Sequence, residues 1–249
     1  MLDFGYYNMD CMEGMKEFPD KYFDLAIVDP PYGGGGTQSD KAGLAGGAQT
    51  MSAETAADSA DGLTSIISAQ RTGGKWAKRY QTNGGIFEHD IRHWDVAPGE
   101  EYFKELARVS KNQIIWGANY FDMPPTRCFI VWRKTNIPAK GFTMAPVEYA
   151  WTSFNANAEY VEFGSAGGAG RGGDRIHPTQ KPVDLYIALL NAHAKPGFKI
   201  LDTHVGSASS LIACHRMGFQ YVGFELDPTY YDLSSKRLQE ETSQIRFEI

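Results

Sequence analysis

The residues best suited to do chemistry in this 249-residue chain stand at the ends of short apolar runs. Leu25–Tyr32 reads LAIVDPPY, a run that ends in a carboxylate, two prolines and an aromatic ring. Pro30 and Pro31 carry no N–H, so the backbone here offers acceptors without competing donors. An oxygen of Asp29 and the Pro30 carbonyl can together accept both hydrogens of an exocyclic amine, while Tyr32 offers a face on which a base can stack. A plain proline turn after a core strand is the competing reading.

A second constellation is KILDTHVGSASSLIACHRMGFQYVGFE, Lys199–Glu225. A strand ending at Asp202, a turn of small residues through Gly206 and Ser207, a helix, and a strand ending at Glu225 make one βαβ unit. Ligands bind such folds at the carboxyl ends of the strands. An acid about 20 residues past the loop is placed to hold ribose hydroxyls, and Glu225 stands 23 past Asp202. The loop lacks the full G-x-G-x-x-G pattern, so a nucleoside-binding loop and an ordinary βα turn both fit.

The remaining candidates are basic or metal-ligating. Lys75, Lys78, Arg79 and Arg92 interleave with Trp76, Tyr80 and Trp94, which suits either base stacking with phosphate contact or a small satellite core. Arg127, Arg133, Lys134 and Lys140 have no acid among them, consistent with either solvated surface or contact with a phosphate backbone. Arg171 and Arg175 flank the end of a glycine-rich stretch that is either a loop ordered by nucleic acid or a linker. His89 and His93 are four apart but have no evident third ligand, so no metal site is expected.

These residues need elements to hold them. Strands are predicted at Tyr6–Asp10, Leu25–Asp29, Gln113–Trp116, Cys128–Trp132, Val147–Ser153, Lys199–Asp202 and Tyr221–Glu225. Several are apolar throughout, as in strands covered on both faces. Helices are predicted at Glu100–Val109, Pro182–Ala194, Ser207–Met217 and Pro228–Glu241, the last with Asp227 as its N-cap. The alternation gives an α/β fold with a mainly parallel sheet, and Cys128–Trp132 with Val147–Ser153 is expected to form an antiparallel hairpin at its edge. Residues 33–95 and 155–176 are expected to be flexible insertions in a single domain, with a short helix near Ala53–Ser68.

Composition narrows the function classes. A 42% hydrophobic content excludes wholesale disorder. Apolar runs of four or five residues exclude a spanning helix. An acidic N-terminus shows no secretory signal, and three unpatterned cysteines suggest a reduced, cytoplasmic setting. The net charge of −6 hides segregation: segments 71–92, 127–140 and 171–181 carry +3, +4 and +2, leaving −15 elsewhere. Of 27 glycines, 18 fall within 33–85 and 164–173. An acidic average therefore leaves room for a local nucleic-acid groove.

With DPPY at 29–32, HPTQKP at His177–Pro182 and ILDTHVGSAS before the last helices, the sequence resembles the amino-group DNA methyltransferases. The order, catalytic tetrapeptide first and cofactor loop last, is similar to their permuted β group, which includes phage and restriction-modification adenine enzymes. The match covers about 1–32 and 110–240 and leaves 33–95 unexplained.

The resemblance implies a Rossmann-like S-adenosylmethionine-dependent fold with seven or eight strands. It implies that Asp29, Pro30, Pro31 and Tyr32 form the acceptor site. Asp202, His204, Gly206 and Ser207 would surround the methionine part of S-adenosylmethionine, Glu225 with Asp227 the ribose, and Asp10 the adenine. Thr179, Lys181 and Pro182 would lead into the helix beside that loop. Lys75, Lys78, Arg79, Arg133, Lys134, Arg171 and Arg175 would contact double-stranded DNA, with a homodimer left open. The family loop D-P-F-x-G-S-G-T is DTHVGSAS here, with Thr203, His204, Ala208 and Ser209 departing from it. The implied reaction is direct methyl transfer, without a metal, to N6 of a flipped adenine, with N4 of cytosine as the alternative acceptor. A catalytically silent DNA-binding domain is the alternative from another class.

Overall fold

The computed structural model describes residues 1–33, 81–82, 85–86, 95–139, 145–165, 175–177 and 179–243. They fall into two units, Met1–Pro30 with Pro98–Ile249, and Pro31–Ala97.

The larger unit is built on eight strands: β1 (Gly5–Asn8), β2 (Phe23–Val28), β5 (Ser110–Trp116), β6 (Phe129–Lys134), β7 (Val147–Thr152), β8 (Glu159–Phe163), β9 (Lys199–Asp202) and β10 (Gln220–Glu225). Their spatial order is β1-β10-β9-β2-β5-β7-β6-β8. Every pairing is parallel except those of β7, which runs antiparallel to both β5 and β6. The expected antiparallel pair thus forms, but not at the edge. Strand β7 inserts between β5 and β6, and β8, which falls inside the stretch 155–176 expected to be flexible, takes the edge itself.

Alternation along the central strands sends side chains to two cores. Leu25 and Ile27 of β2, Ile114 and Trp116 of β5, and Ile130 and Trp132 of β6 pack with Leu185, Leu189 and Leu190 of α3 (Val183–His193). Ala26, Val28 and Ile115 point the other way, to Met15 of α1 (Cys11–Lys16) and to Tyr102, Leu106 and Val109 of α2 (Glu100–Val109). A sheet covered on both faces explains why these strands read as continuous apolar runs. A third cluster joins Val205 and Ala208 to Leu211 and Ile212 of α4 (Ser209–Arg216) and Leu238 of α5 (Pro228–Ser243). Helix α1 was not expected from the pattern. Its six residues are too few to show a period, and Asp10 caps it by accepting the Met12 N–H at 2.7 Å. No helix among the described residues is long and apolar enough to cross a membrane.

In the second unit, β3 (Gln81–Thr82) pairs antiparallel with β4 (Gly85–Ile86). The Gly33 N–H donates to Asp95 Oδ1 at 3.2 Å, so the two ends of this unit meet. The expected helix at Ala53–Ser68 lies outside the described residues, as do His89 and His93.

The register fixes what the site inherits. Asn8 lies opposite Glu225, Gly223 opposite Asp202, and Val28 opposite Ile115. The carboxyl ends of β1, β10, β9, β2 and β5 therefore form one edge. Only a reversed strand can bring its first residues to that edge, and β7 does so with Glu148.

Helix α1 lies tightly on this sheet. A Cβ at Gly14 would stand 2.4 Å from the Phe224 ring, which is fully buried. Gly14→Ala is expected to destabilise the chain by about 1–3 kcal/mol and lower the thermal midpoint by several degrees in calorimetry. An unchanged midpoint would contradict this packing.

Candidate active site

Asp29 follows β2 at the carboxyl edge, with its side chain 12% exposed. The Lys181 ammonium, only 3% exposed, donates to Asp29 Oδ2 and stands 3.2 Å from Glu148 Oε2. The other oxygen of Glu148 meets Lys134 Nζ at 2.6 Å. Each ammonium also faces an indole, Lys181 that of Trp116 at 5.4 Å and Lys134 that of Trp132 at 5.2 Å. Two cations and two anions alternate in one row, the ammonium groups buried and Glu148 still 27% exposed. Burial by itself would strip Lys181 of its proton; Asp29 and Glu148 overcome it and raise its pKa. Burial likewise opposes ionised Glu148, and Lys181 and Lys134 reverse the sign, leaving its pKa lowered.

The loop after β9 is tied from beneath. Glu225 accepts the Gly206 N–H through Oε2 at 2.8 Å and the Asp227 N–H through Oε1 at 3.0 Å. Asp227 caps α5, its Oδ1 accepting the N–H groups of Thr229 and Tyr230 at 2.8 and 3.1 Å. Gly206 turns with φ +54°, and a Cβ there would press on the His177 ring at 3.3 Å. Only glycine combines that turn with such close approach. Arg237 reaches across from α5 to donate to the Ser207 carbonyl at 2.5 Å and to Ser209 Oγ at 3.0 Å.

Asp202 is buried at the tip of β9, accepting from the Ser210 hydroxyl and, at 3.0 Å, from the His204 N–H. Burial pushes its pKa up to about 7; the hydrogen bonds hold it down in part, and the charges of Asp29 and Glu225 add to the rise. Burial also raises Glu225. His204 is pushed down to about 4 by burial, and His177 to about 3 by burial and then by Arg175 and Lys181, so both rings are neutral at pH 7. Tyr102 of α2 joins this cluster, its hydroxyl 2.6 Å from Thr203 Oγ1, which is 2.9 Å from His204 Nδ1. Among the described residues no cationic side chain pairs with Asp202 or Glu225, and two such acids beside neutral rings suit a ligand that carries positive charge.

Most of the expected site residues in the larger unit meet here. Asp29, Lys181, Asp202, His204, Gly206, Ser207, Glu225 and Asp227 lie along the edge or its loops, with Pro30 buried after Asp29 and Pro182 at the start of α3. Thr179 is exposed and turns its N–H and hydroxyl toward His177 Nδ1 at 3.3 and 3.2 Å. Pro31 and Tyr32 begin the second unit. Asp10 is exposed, and its side chain is engaged in capping α1.

Lys134 requires correction. It was expected on a DNA backbone, but it is 5% exposed and held by Glu148, and a buried ammonium in a closed ion pair cannot reach a phosphate. Arg133 donates to the carbonyls of Lys134, Ile137 and Pro146, the last two at 2.9 and 3.4 Å, and so clamps a turn. Arg175 donates to the His177 carbonyl at 3.0 Å. Lys75, Lys78, Arg79 and Arg171 lie outside the described residues. Sequence reasoning missed Glu148, Tyr102, Ser210 and Arg237. Glu148 alone left a signal, a charge inside an otherwise uncharged strand. Among the described residues, no cluster of three or more His, Cys, Asp or Glu side chains is arranged to hold a metal ion.

Residues 131–236 match the family model described as DNA methylase. The Type II methyltransferase M.HinfI of Haemophilus influenzae is 24% identical over 258 residues, covering 93% of this chain and 67% of that protein. The chain is similar to DNA methyltransferases over these stretches. The Type II methyltransferase M2.DpnII of Streptococcus pneumoniae is 37% identical over 65 residues, 26% of this chain and 24% of that protein. Among solved structures, the cytosine-N4-specific PvuII DNA methyltransferase shares the fold with a TM-score of 0.52 at 12% identity, over 98% of this chain and 93% of that one.

The raised Asp202 has a signed consequence. Its folded pKa lies above the ordinary carboxylate value, so its contribution to stability is present at low pH and lost as pH rises toward and through about 7. The neutral histidines pull the other way on acidification, so the informative quantity is the difference from Asp202→Asn. From pH 8 to pH 6 the wild-type chain is expected to gain stability relative to that variant in denaturant titrations. Parallel curves would contradict the assigned environment.

Proposed function

We propose that this chain is an S-adenosylmethionine-dependent DNA methyltransferase acting on the exocyclic N6 of an adenine turned out of the duplex. The observation that carries the reading is the adjacency of two devices on one sheet edge. One is a rigid acceptor, Asp29 with the Pro30 carbonyl; the other is a glycine loop backed by the buried acids Asp202 and Glu225.

The residues present fit the cofactor. Asp202 and Glu225 are buried acids pushed toward their neutral forms, and a ligand bearing an ammonium and a sulfonium would return them to the charged form. Gly206 leaves the loop backbone open where any side chain would strike His177. Asp202, His204, Gly206, Ser207 and Glu225 would hold the cofactor, with Asp227 fixing Glu225 from behind. When bound, it supplies an electrophilic methyl group.

The rest is done by the chain. The amine nitrogen gains positive charge as it attacks carbon and must shed a proton. Asp29 and the Pro30 carbonyl accept its N–H groups, turn its lone pair toward the methyl and stabilise the charge that develops. Lys181 donates to Asp29 Oδ2 and fixes the direction of its carboxylate. The Tyr32 ring offers a stacking face that offsets about 1–3 kcal/mol of the unstacking cost. Positioning of this kind supplies about 7 kcal/mol or more of barrier lowering. The basic segments about 71–92 and 171–175 are the proposed contacts to the duplex backbone, with the restriction-modification or phage setting carried over from the resemblance.

Asp29→Asn is expected to lower kcat by about 10²–10⁴ while S-adenosylmethionine affinity stays within a few-fold by calorimetry. Digesting the methylated DNA of the wild-type reaction to nucleosides is expected to yield N6-methyladenine. N4-methylcytosine alone would overturn the adenine assignment. Bound cofactor without any transfer would favour a silent DNA-binding role.

A further inference from the structure

Four charges stand in the row beside the proposed acceptor, and only two of them, Asp29 and Lys181, belong to the motifs that the sequence resemblance marks. Glu148 is the second residue of β7 and Lys134 the last of β6. Neither lies near Asp29 in the chain, and the reversed direction of β7 is what brings Glu148 to the carboxyl edge. Burying a lysine against one carboxylate would tie up that carboxylate; a second anion shares the load. Glu148 is that second anion, 3.2 Å from Lys181, and Lys134 balances it at 2.6 Å. Among the described residues the row sums to zero charge, and Asp29 shares the Lys181 ammonium with Glu148.

Resting on the methyltransferase reading above, we propose that Glu148 and Lys134 are positioning residues for the reaction, setting through Lys181 how strongly Asp29 accepts the amine. Neither is expected to touch substrate. The indoles of Trp116 and Trp132, packed edge to face with centroids 6.1 Å apart, hold the two ammonium groups in line. Among the described residues, the other titratable groups facing Asp29 are Asp202 on β9, Tyr102 on α2 and Tyr186 on α3. Of these Asp202 titrates near neutrality, and its effect falls on cofactor binding.

The test is the pH profile of kcat at saturating S-adenosylmethionine and duplex DNA for wild type, Glu148→Gln and Lys134→Met. Removing a negative charge from the row favours the ionised form of a carboxylate that remains, and removing a positive one disfavours it. The acid limb of Glu148→Gln is therefore expected about half a unit or more below wild type and that of Lys134→Met about as far above it. The KM for the cofactor should stay within about threefold, since β7 and β6, which carry Glu148 and Lys134, stand beyond β2 and β5 from β9 and its Gly206 loop. Where a variant fails to fold, Glu148→Asp and Lys134→Arg replace them, the aspartate moving the limb down by less and the arginine leaving it in place. Limbs that coincide with wild type overturn the role given to Glu148 and Lys134, even if melting points fall. Absence of transfer by the wild-type chain refutes the methyltransferase reading itself.

Discussion

One buried ammonium constrains the whole carboxyl edge of the sheet. Lys181 is 3% exposed, and an unpaired lysine so deep would cost several kcal/mol. It is kept charged only by carboxylates that come from distant parts of the chain, Asp29 at the end of β2 and Glu148 at the start of β7. Satisfying it therefore requires that β2 and β7 flank β5 and that β7 run backwards, with the segment before α3 crossing over their ends. The acceptor carboxylate is fixed as a by-product of that requirement.

The cofactor side of the edge follows a different logic. Among the described residues, Asp202 and Glu225 are held by N–H groups and a hydroxyl rather than by cations. Glu225 knits Gly206 to Asp227, and Asp202 is left with a pKa near 7. A charge-balanced half beside a half short of positive charge suits a reaction in which a cationic donor and a neutral amine meet between them. Ala208 adds a local cost, since it holds φ +61° with a buried methyl group, a backbone shape that non-glycine residues pay about 1–2 kcal/mol to adopt. The resembled family has glycine at that position.

Much of this was legible from residue order. The seven expected strands and four expected helices all form, with Glu100–Val109 and Lys199–Asp202 at the predicted bounds, because apolar runs between glycines, prolines and caps report burial directly. Strand β8 was missed because Glu159–Phe163 interleaves acids with aromatics at an edge, where burial asks for little hydrophobicity. Lys134 was misread for the converse reason. A lysine in a basic run looks solvated, and nothing local announces that Glu148, fourteen residues on, will bury it. Long-range ion pairing leaves no period in a sequence, whereas the backbone pattern does.

The central claim is that buried Lys181 makes Asp29 the amine acceptor. It is tested most directly by methyl transfer from labelled S-adenosylmethionine to duplex DNA by Lys181→Met, a variant of similar length without the charge, with cofactor binding measured on the same folded preparation. The account predicts a loss of turnover of about a hundredfold or more with cofactor affinity within a few-fold of wild type. Turnover at the wild-type rate would contradict it, as would a defect confined to cofactor affinity.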